Sequence, residues 1–198
     1  MLDDVYLPMS RILPEGSLGT ANIAHWTPTI GALLRSTVQD FSDEQLESDY
    51  TYVQLRCGTE LVMSDTPMER ATNFEAVARA HGDVLVTGLG LGLVIAPMLC
   101  NPDVDTVTVV EKRLEVIELV GSKLRRFLDP VWHKLVLVCA DAFIYWTPKT
   151  YDVIYHDIWS SIKKENLEEI EQLKARYALT STHRSWQGAW VEDRLKKV

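Results

Sequence analysis

The chain is 198 residues long, 46% hydrophobic and 24% charged, with a formal net charge of −8. That length allows one domain with a modest appendage, and that composition builds a packed core rather than a disordered chain. The acidic balance excludes a broad surface for nucleic-acid phosphates or anionic membranes.

The cysteines are Cys57, Cys100 and Cys139. They lie far apart and in no metal-ligand spacing, which fits a reducing compartment and predicts no metal site. There is no apolar run of about 18 residues, and residues 1–4 form no basic leader, so a cytoplasmic location without membrane contact is expected.

In chain order, turn signals at Pro14, Gly16 and Gly19 precede a strand over 20–27. Pro28 then opens an apolar, helix-like stretch over 30–38, and Ser42 with Gln45 reads as a capping box. Runs over 50–56 and 59–63, joined at Cys57-Gly58, form a hairpin signal. Residues 1–65 are thus a small β-rich segment with short helices, and residues 66–198 a second unit, separate from it or fused with it into one.

Thr66 reads as a helix N-cap, with Pro67 at the first position and Glu69 closing a capping box. Phe74, Val77, Ala78 and His81 keep helical spacing until Gly82. A strand over 83–87 leads into Gly88-Leu89-Gly90-Leu91-Gly92, followed by a helix to about Cys100 that Asn101-Pro102 stops. A second strand covers 106–110, and Leu114, Ile117, Val120, Leu124 and Phe127 mark the next helix face. Strands over 135–138 and 152–155 follow, then a helix outlined by Asn166, Leu167, Ile170, Leu173 and Tyr177. This alternation predicts an α/β fold with a Rossmann-like parallel sheet in the order 3-2-1-4 and a ligand crevice at the switch point between strands 1 and 4.

Every chemically suggestive residue falls at one of those strand ends. The glycines let the backbone turn tightly and let a ligand approach without a Cβ, and a helix N-terminus there would offer free N–H donors. A plain strand–helix turn uses the same residues, so the string alone is weak. Glu111 ends strand 2, 23 residues after Gly88, where dinucleotide folds place the carboxylate that receives ribose hydroxyls. Asp141 and Ala142 follow strand 3, and Asp157 ends strand 4. Acids also serve as ordinary helix caps, but three at consecutive strand ends favour a nucleotide cleft. Glycines at 88, 90 and 92, with Val94 after them, depart from the GxGxxG of NAD sites, and no P-loop is present. The loop points to S-adenosylmethionine (SAM) rather than NAD.

Other residues carry two readings each. His156 is a general base or a hydrogen-bonded structural histidine. Trp159 is a stacking platform or a core lid. Trp186 and Trp190 are spaced to pack the tail on the body. Asp65 reaches the cofactor or sits beside the cap at Thr66. Lys163-Lys164 and Lys196-Lys197 read as solvated charges.

The strings VLVTGLGLG, TVTVVEK, CADAF and YDVIYHDIW give the chain a resemblance to class I SAM-dependent methyltransferases from about Tyr52 to Trp159. Within them it resembles the spermidine-synthase-like branch, including short phage-encoded members that share MSDTP and HDIW. The resemblance implies SAM, S-adenosylhomocysteine or decarboxylated SAM as the cofactor. Gly88, Leu89, Gly90 and Gly92 would line its methionine and ribose part, Glu111 with Lys112 would take the ribose, and Asp141 with Ala142 the adenine. Asp157 would face a small-molecule acceptor as the catalytic residue.

Leu91, Met63, Ala71-Thr72 and Ser160 stand where that branch carries polar groups for a polyamine. The resemblance therefore implies methyl transfer, with aminopropyl transfer or a non-catalytic nucleotide-binding module as alternatives. A full methyltransferase sheet needs three strands beyond the fourth, yet only 20 residues follow Ala178, and 180–188 is rich in polar and turn residues. A C-terminally truncated sheet is expected, its strand-4 edge covered by the N-terminal segment, an irregular tail or a second copy in a homodimer.

Overall fold

Strand-type residues between turn glycines build the first layer. The computed structural model describes residues 5–29 and 46–196; the helix expected over 30–38 and the capping box at Ser42 and Gln45 lie outside the described residues. Strands β1 (Gly16–Leu18), β2 (Ala21–Trp26), β3 (Tyr52–Cys57) and β4 (Glu60–Ser64) form an antiparallel sheet in chain order. Gly58, at φ +59°, makes the tight turn between β3 and β4 that the Cys57-Gly58 signal predicts. A short helix, α1 (Met9–Ile12), buries Met9 and Ile12 in the same core.

The second layer is the parallel sheet. Its strands are β5 (Gly82–Thr87), β6 (Val104–Glu111), β7 (Leu135–Cys139), β8 (Tyr151–His156) and β9 (Ser181–Ala189), in the order β7-β6-β5-β8-β9. Every pair in it is parallel. Counted from β5, this is the expected 3-2-1-4 order with one strand added. Helices α2 (Pro67–Arg79), α3 (Ile95–Cys100), α4 (Leu114–Leu128), α5 (Asn166–Tyr177) and α6 (Glu192–Leu195) connect or follow the strands.

Val84, Val86, Val107 and Val153 belong to the large core with α3 and α4, whereas Leu85, Val110 and Ile154 pack with Leu173 and Tyr177 of α5. Central strands buried on both faces explain their unbroken apolar runs. The large core continues from Ile23 and Leu55 of the first sheet to Val86 and Tyr155 of the second, across the division at residue 65. No helix among the described residues is long and apolar enough to cross a membrane.

Some local expectations give way to tertiary contacts. Thr66 is the N-cap of α2 with Pro67 behind it, but its side chain caps nothing and instead meets Ser64 Oγ at 3.2 Å. Glu69 is drawn inward beside Asn73 rather than back to the cap. The buried stripe of α2 is accordingly polar, Glu69, Arg70 and Asn73 with Ala76 and Val77, while Phe74 is exposed. Partners from elsewhere fix that stripe: the Tyr6 hydroxyl donates to the Arg70 carbonyl and the Tyr155 hydroxyl to Asn73 Oδ1, both at 2.8 Å. On α4 the buried face is Val116, Leu119, Val120, Leu124 and Leu128, with Leu114 and Phe127 outside. Helix α3 begins only at Ile95 and has six residues, so turns separate the glycine loop from its N-terminus.

The tail is the largest correction. Residues 181–189 are a strand, with Trp186 opposite Val153 and Gly188 opposite Tyr155. An edge strand covered on one face tolerates the polar, turn-like composition that hides it in the sequence. Trp186 stacks on Tyr155 at 6.2 Å, and the buried Trp190 donates its indole N–H to Thr72 Oγ1 at 3.0 Å. Strand β8 therefore has a neighbour from its own chain. The open edge invoked there for a second copy is closed.

Candidate functional site

The site starts where β5 leaves the middle of the sheet. The chain turns through Gly88, Gly90 and Gly92 at φ +96°, +50° and +74°. Backbone of that kind is costly for any residue with a Cβ, which is why the loop is glycine at alternate positions.

Glu111, at the end of β6, holds this loop. Its Oε2 accepts the Leu89 N–H at 2.9 Å and its Oε1 the Arg113 N–H at 2.8 Å. Each carboxylate oxygen retains a second lone pair for a ligand hydroxyl. After β7, Asp141 Oδ1 accepts the Phe143 N–H at 2.9 Å and Oδ2 meets Lys112 Nζ at 2.8 Å. The Lys112 ammonium and the Phe143 amide hold the Asp141 carboxyl below its usual range.

At the end of β8 two adjacent residues have opposite roles. Asp157 is buried, and its backbone N–H reaches the Thr87 carbonyl at 2.8 Å. Burial pushes its carboxyl up to about 7, and among the described residues no charge or hydrogen bond offsets that cost. His156 is fully buried between Thr87 Oγ1 and Gln187 Nε2, each at 3.0 Å, and burial pushes its imidazole down to about 3. A neutral ring bonded at both nitrogens holds β5, β8 and β9 together, which removes the general-base reading of His156.

These elements enclose a cleft of about 280 Å³ at the carboxyl ends of β5, β6, β7 and β8. It brings together Gly88, Gly90, Glu111, Lys112, Asp141, Ala142 and Asp157. Leu89 and Gly92 do not line it. Leu89 contributes its amide to Glu111, and Gly92 packs where a Cβ would stand 2.5 Å from Leu124 Cδ1. Asp65 is elsewhere too, receiving the Val53 N–H at 2.6 Å and pairing with Arg70 at 3.5 Å to close the hairpin end.

Two cleft residues, Glu60 and Arg113, were not anticipated. Glu60, near the hairpin tip, accepts from Arg113 Nη2 at 3.0 Å and from Ser160 Oγ at 2.6 Å. It ties β4 to the loops after β6 and β8, and the Ser160 hydroxyl, with Arg113, holds its carboxyl low. Those partners are 53 and 100 residues away in sequence, so no local spacing reveals them. Trp159 forms part of the wall, its indole N–H donating to Glu169 Oε2 at 2.5 Å. Met63 closes the end of the cleft beside Gly90.

A larger hollow of about 340 Å³ lies between α2, β9 and α6. Much of its charge is already paired, Lys174 and Lys196 both meeting Glu192 at 2.9 and 2.6 Å, and it contains none of the loop or carboxylate residues described above. The strand-end cleft, at the sheet's switch point, is the candidate site.

Fold and site together define a Rossmann-like α/β domain with a carboxylate-lined crevice. No protein-family model and no curated protein sequence matches the chain. Solved structures match it in part. One is the glycopeptide N-methyltransferase MtfA complexed with S-adenosyl-L-methionine, 17% identical over 60% of this chain and 52% of that chain, TM-score 0.48. Another is the CcbJ methyltransferase from Streptomyces caelestis, 21% identical over 60% and 46%, TM-score 0.45. A third is a SAM-dependent methyltransferase from Thiobacillus denitrificans in complex with S-adenosyl-L-homocysteine, 18% identical over 60% and 46%, TM-score 0.44. The match spans about half the length of these neighbours.

Proposed function

We propose that the chain is a SAM-dependent methyltransferase acting on a small-molecule acceptor. One observation carries this reading: Glu111 stands in the cleft at the end of β6, fastened to the glycine loop through the Leu89 amide and to its own turn through the Arg113 amide, with capacity left for two vicinal hydroxyls. Asp141 and Ala142, one strand further along the sheet edge, suit an adenine and its amino group. When bound, a SAM-type donor supplies a methyl group activated by a sulfonium.

The chain's own residues would orient the acceptor and manage its proton. An Asp157 carboxyl held near 7 is part ionised at neutral pH and matched to accepting a proton from an N–H or O–H acceptor. Trp159, steadied by Glu169, offers a flat apolar wall beside it. Glu60 links the hairpin to both cleft loops and so limits water once the cleft is filled. Aminopropyl transfer is less favoured. Met63 and Ser160 offer the cleft no charge to fix a polyamine, and Leu91 is fully buried.

Calorimetry with SAM, S-adenosylhomocysteine, 5′-methylthioadenosine and NAD tests the reading. Binding of the adenosyl ligands but not NAD is expected, with Glu111→Ala weakening it at least ~10-fold, a loss of about 1.4 kcal/mol. Absence of heat with every adenosyl ligand at ~1 mM protein would overturn it.

A further inference from the structure

We infer that Met63 sets which adenosyl ligands the cleft accepts. Its thioether occupies the space and the loop amide that an amino-acid tail on the nucleoside would use, so a donor's tail enters only by displacing Met63, whereas a nucleoside without one meets no such cost. The inference rests on the adenosine reading of the cleft given above.

The geometry is that of a plug. Strand β4 sets Met63 opposite Leu55, and the side chain is 7% exposed while still lining the cleft. Its Sδ accepts the Leu91 N–H at 3.3 Å. A Cβ on Gly90 would stand 2.5 Å from that sulfur and 2.9 Å from Cε. The close approach that a bare glycine backbone permits is thus made by the protein's own side chain, at the cleft end remote from Asp141.

The charges agree with the sterics. A methionyl tail ends in a carboxylate and an ammonium. Among the described residues lining the cleft the cations are Lys112 and Arg113, and they already sit on Asp141 and Glu60 at 2.8 and 3.0 Å. The Leu91 amide is the donor a tail carboxylate would compete for, and a carboxylate is a far stronger acceptor than a thioether. That competition requires Met63 to swing aside. Its unbranched chain allows this, at the cost of the packing it gives up.

S-adenosylhomocysteine and 5′-methylthioadenosine share the nucleoside and the sulfur and differ in the tail, so the pair isolates the effect. Their dissociation constants would be measured for the wild type and for Met63→Ala, Met63→Val and Met63→Leu, with thermal melting to follow folding. The wild type is expected to bind 5′-methylthioadenosine at least ~10-fold tighter. Met63→Ala should tighten S-adenosylhomocysteine by roughly 5- to 10-fold and leave 5′-methylthioadenosine within about twofold. Met63→Val, the milder truncation should alanine unfold the hairpin, should move the same way, and Met63→Leu, which keeps the bulk, should resemble the wild type. A wild type that prefers S-adenosylhomocysteine, or truncations that shift both ligands alike, would overturn the inference while leaving the adenosine reading intact. If neither nucleoside binds any variant, the adenosine reading fails and the inference with it.

Discussion

Gly88 lies directly against the backbone of Asp157: a Cβ at Gly88 would stand 1.9 Å from the Asp157 carbonyl oxygen. The Gly88 N–H is meanwhile committed to the Val110 carbonyl at 2.9 Å, and the Asp157 N–H to Thr87 at 2.8 Å. Three strand ends thus meet backbone to backbone, and they form the floor of the cleft.

That contact predicts a contrast between two glycines. Gly88→Ala has both a φ of +96° and an immovable backbone oxygen to contend with, so a loss above about 2 kcal/mol is expected. Gly58→Ala also sits at positive φ, +59°, but nothing lies within 4 Å of its Cβ, so only the conformational penalty of about 1–2 kcal/mol should appear. Urea unfolding of both variants checks this. Equal losses would mean that the Asp157 backbone yields.

Asp157 should make stability depend on pH. Its folded carboxyl lies near 7 against an ordinary 3.8. Below the ordinary value the proton is held in both states and folding bears no penalty. As pH rises toward 7 the unfolded chain releases the proton while the folded one retains it, so stability falls; above 7 the loss is constant. At 1.36 kcal/mol per pKa unit the full effect is of order 4 kcal/mol. Asp157→Asn removes this titration. Its stability relative to the wild type should therefore climb between pH 4 and 7 and then level off. Parallel curves for the two proteins across that range would show that the carboxyl is not desolvated.

Glu111 should matter to the empty protein as well as to binding. Removing it strips acceptors from the Leu89 and Arg113 amides, and hydrogen bonds to a charged group contribute about 1.5–3 kcal/mol each before water replaces them. Arg113 lines the cleft, where water can replace the carboxylate at its amide, whereas Leu89 is buried, so Glu111→Ala is expected to cost about 1–3 kcal/mol of stability. Glu111→Gln, which keeps one carbonyl acceptor, should cost less while still weakening nucleoside binding. Unchanged denaturation midpoints would mean the loop holds its shape without the carboxylate.

The sheet order, the glycine loop and the acids at 111, 141 and 157 are legible in the sequence because each depends on local pattern: apolar runs, turn glycines, and polar residues at strand ends. What stays hidden depends on partners far along the chain. The polar stripe of α2 follows from Tyr6 and Tyr155, and the link through Glu60 from residues 53 and 100 positions away. Strand β9 escapes notice because an edge position asks little of its sequence, and its pairing with β8 is parallel and needs α5 as the crossover. Asp157 stands out as a strand-end acid, but its raised carboxyl follows from how completely the loops around it close, which no string of residues encodes.

Glu60 offers the test of how the cleft holds its ligand. Its ion pair with Arg113 is half exposed on both sides, 46% and 41%, so it should add less than about 1 kcal/mol to stability. Its effect should appear instead in kinetics. Glu60 joins the β3–β4 hairpin to the loops after β6 and β8, all three of which line the cleft. Glu60→Ala should then raise the dissociation rate of 5′-methylthioadenosine by roughly 3- to 10-fold with little change in association, since affinity differences among close variants lie mostly in release. Ser160→Ala should give a smaller rise that salt does not alter. In the wild type, ~1 M salt should reproduce part of the Glu60→Ala effect by screening the Arg113 pair. Stopped-flow tryptophan fluorescence, with Trp159 in the cleft wall as reporter, measures both rates. A dissociation rate indifferent to Glu60 and to salt would mean that the hairpin does not gate the cleft.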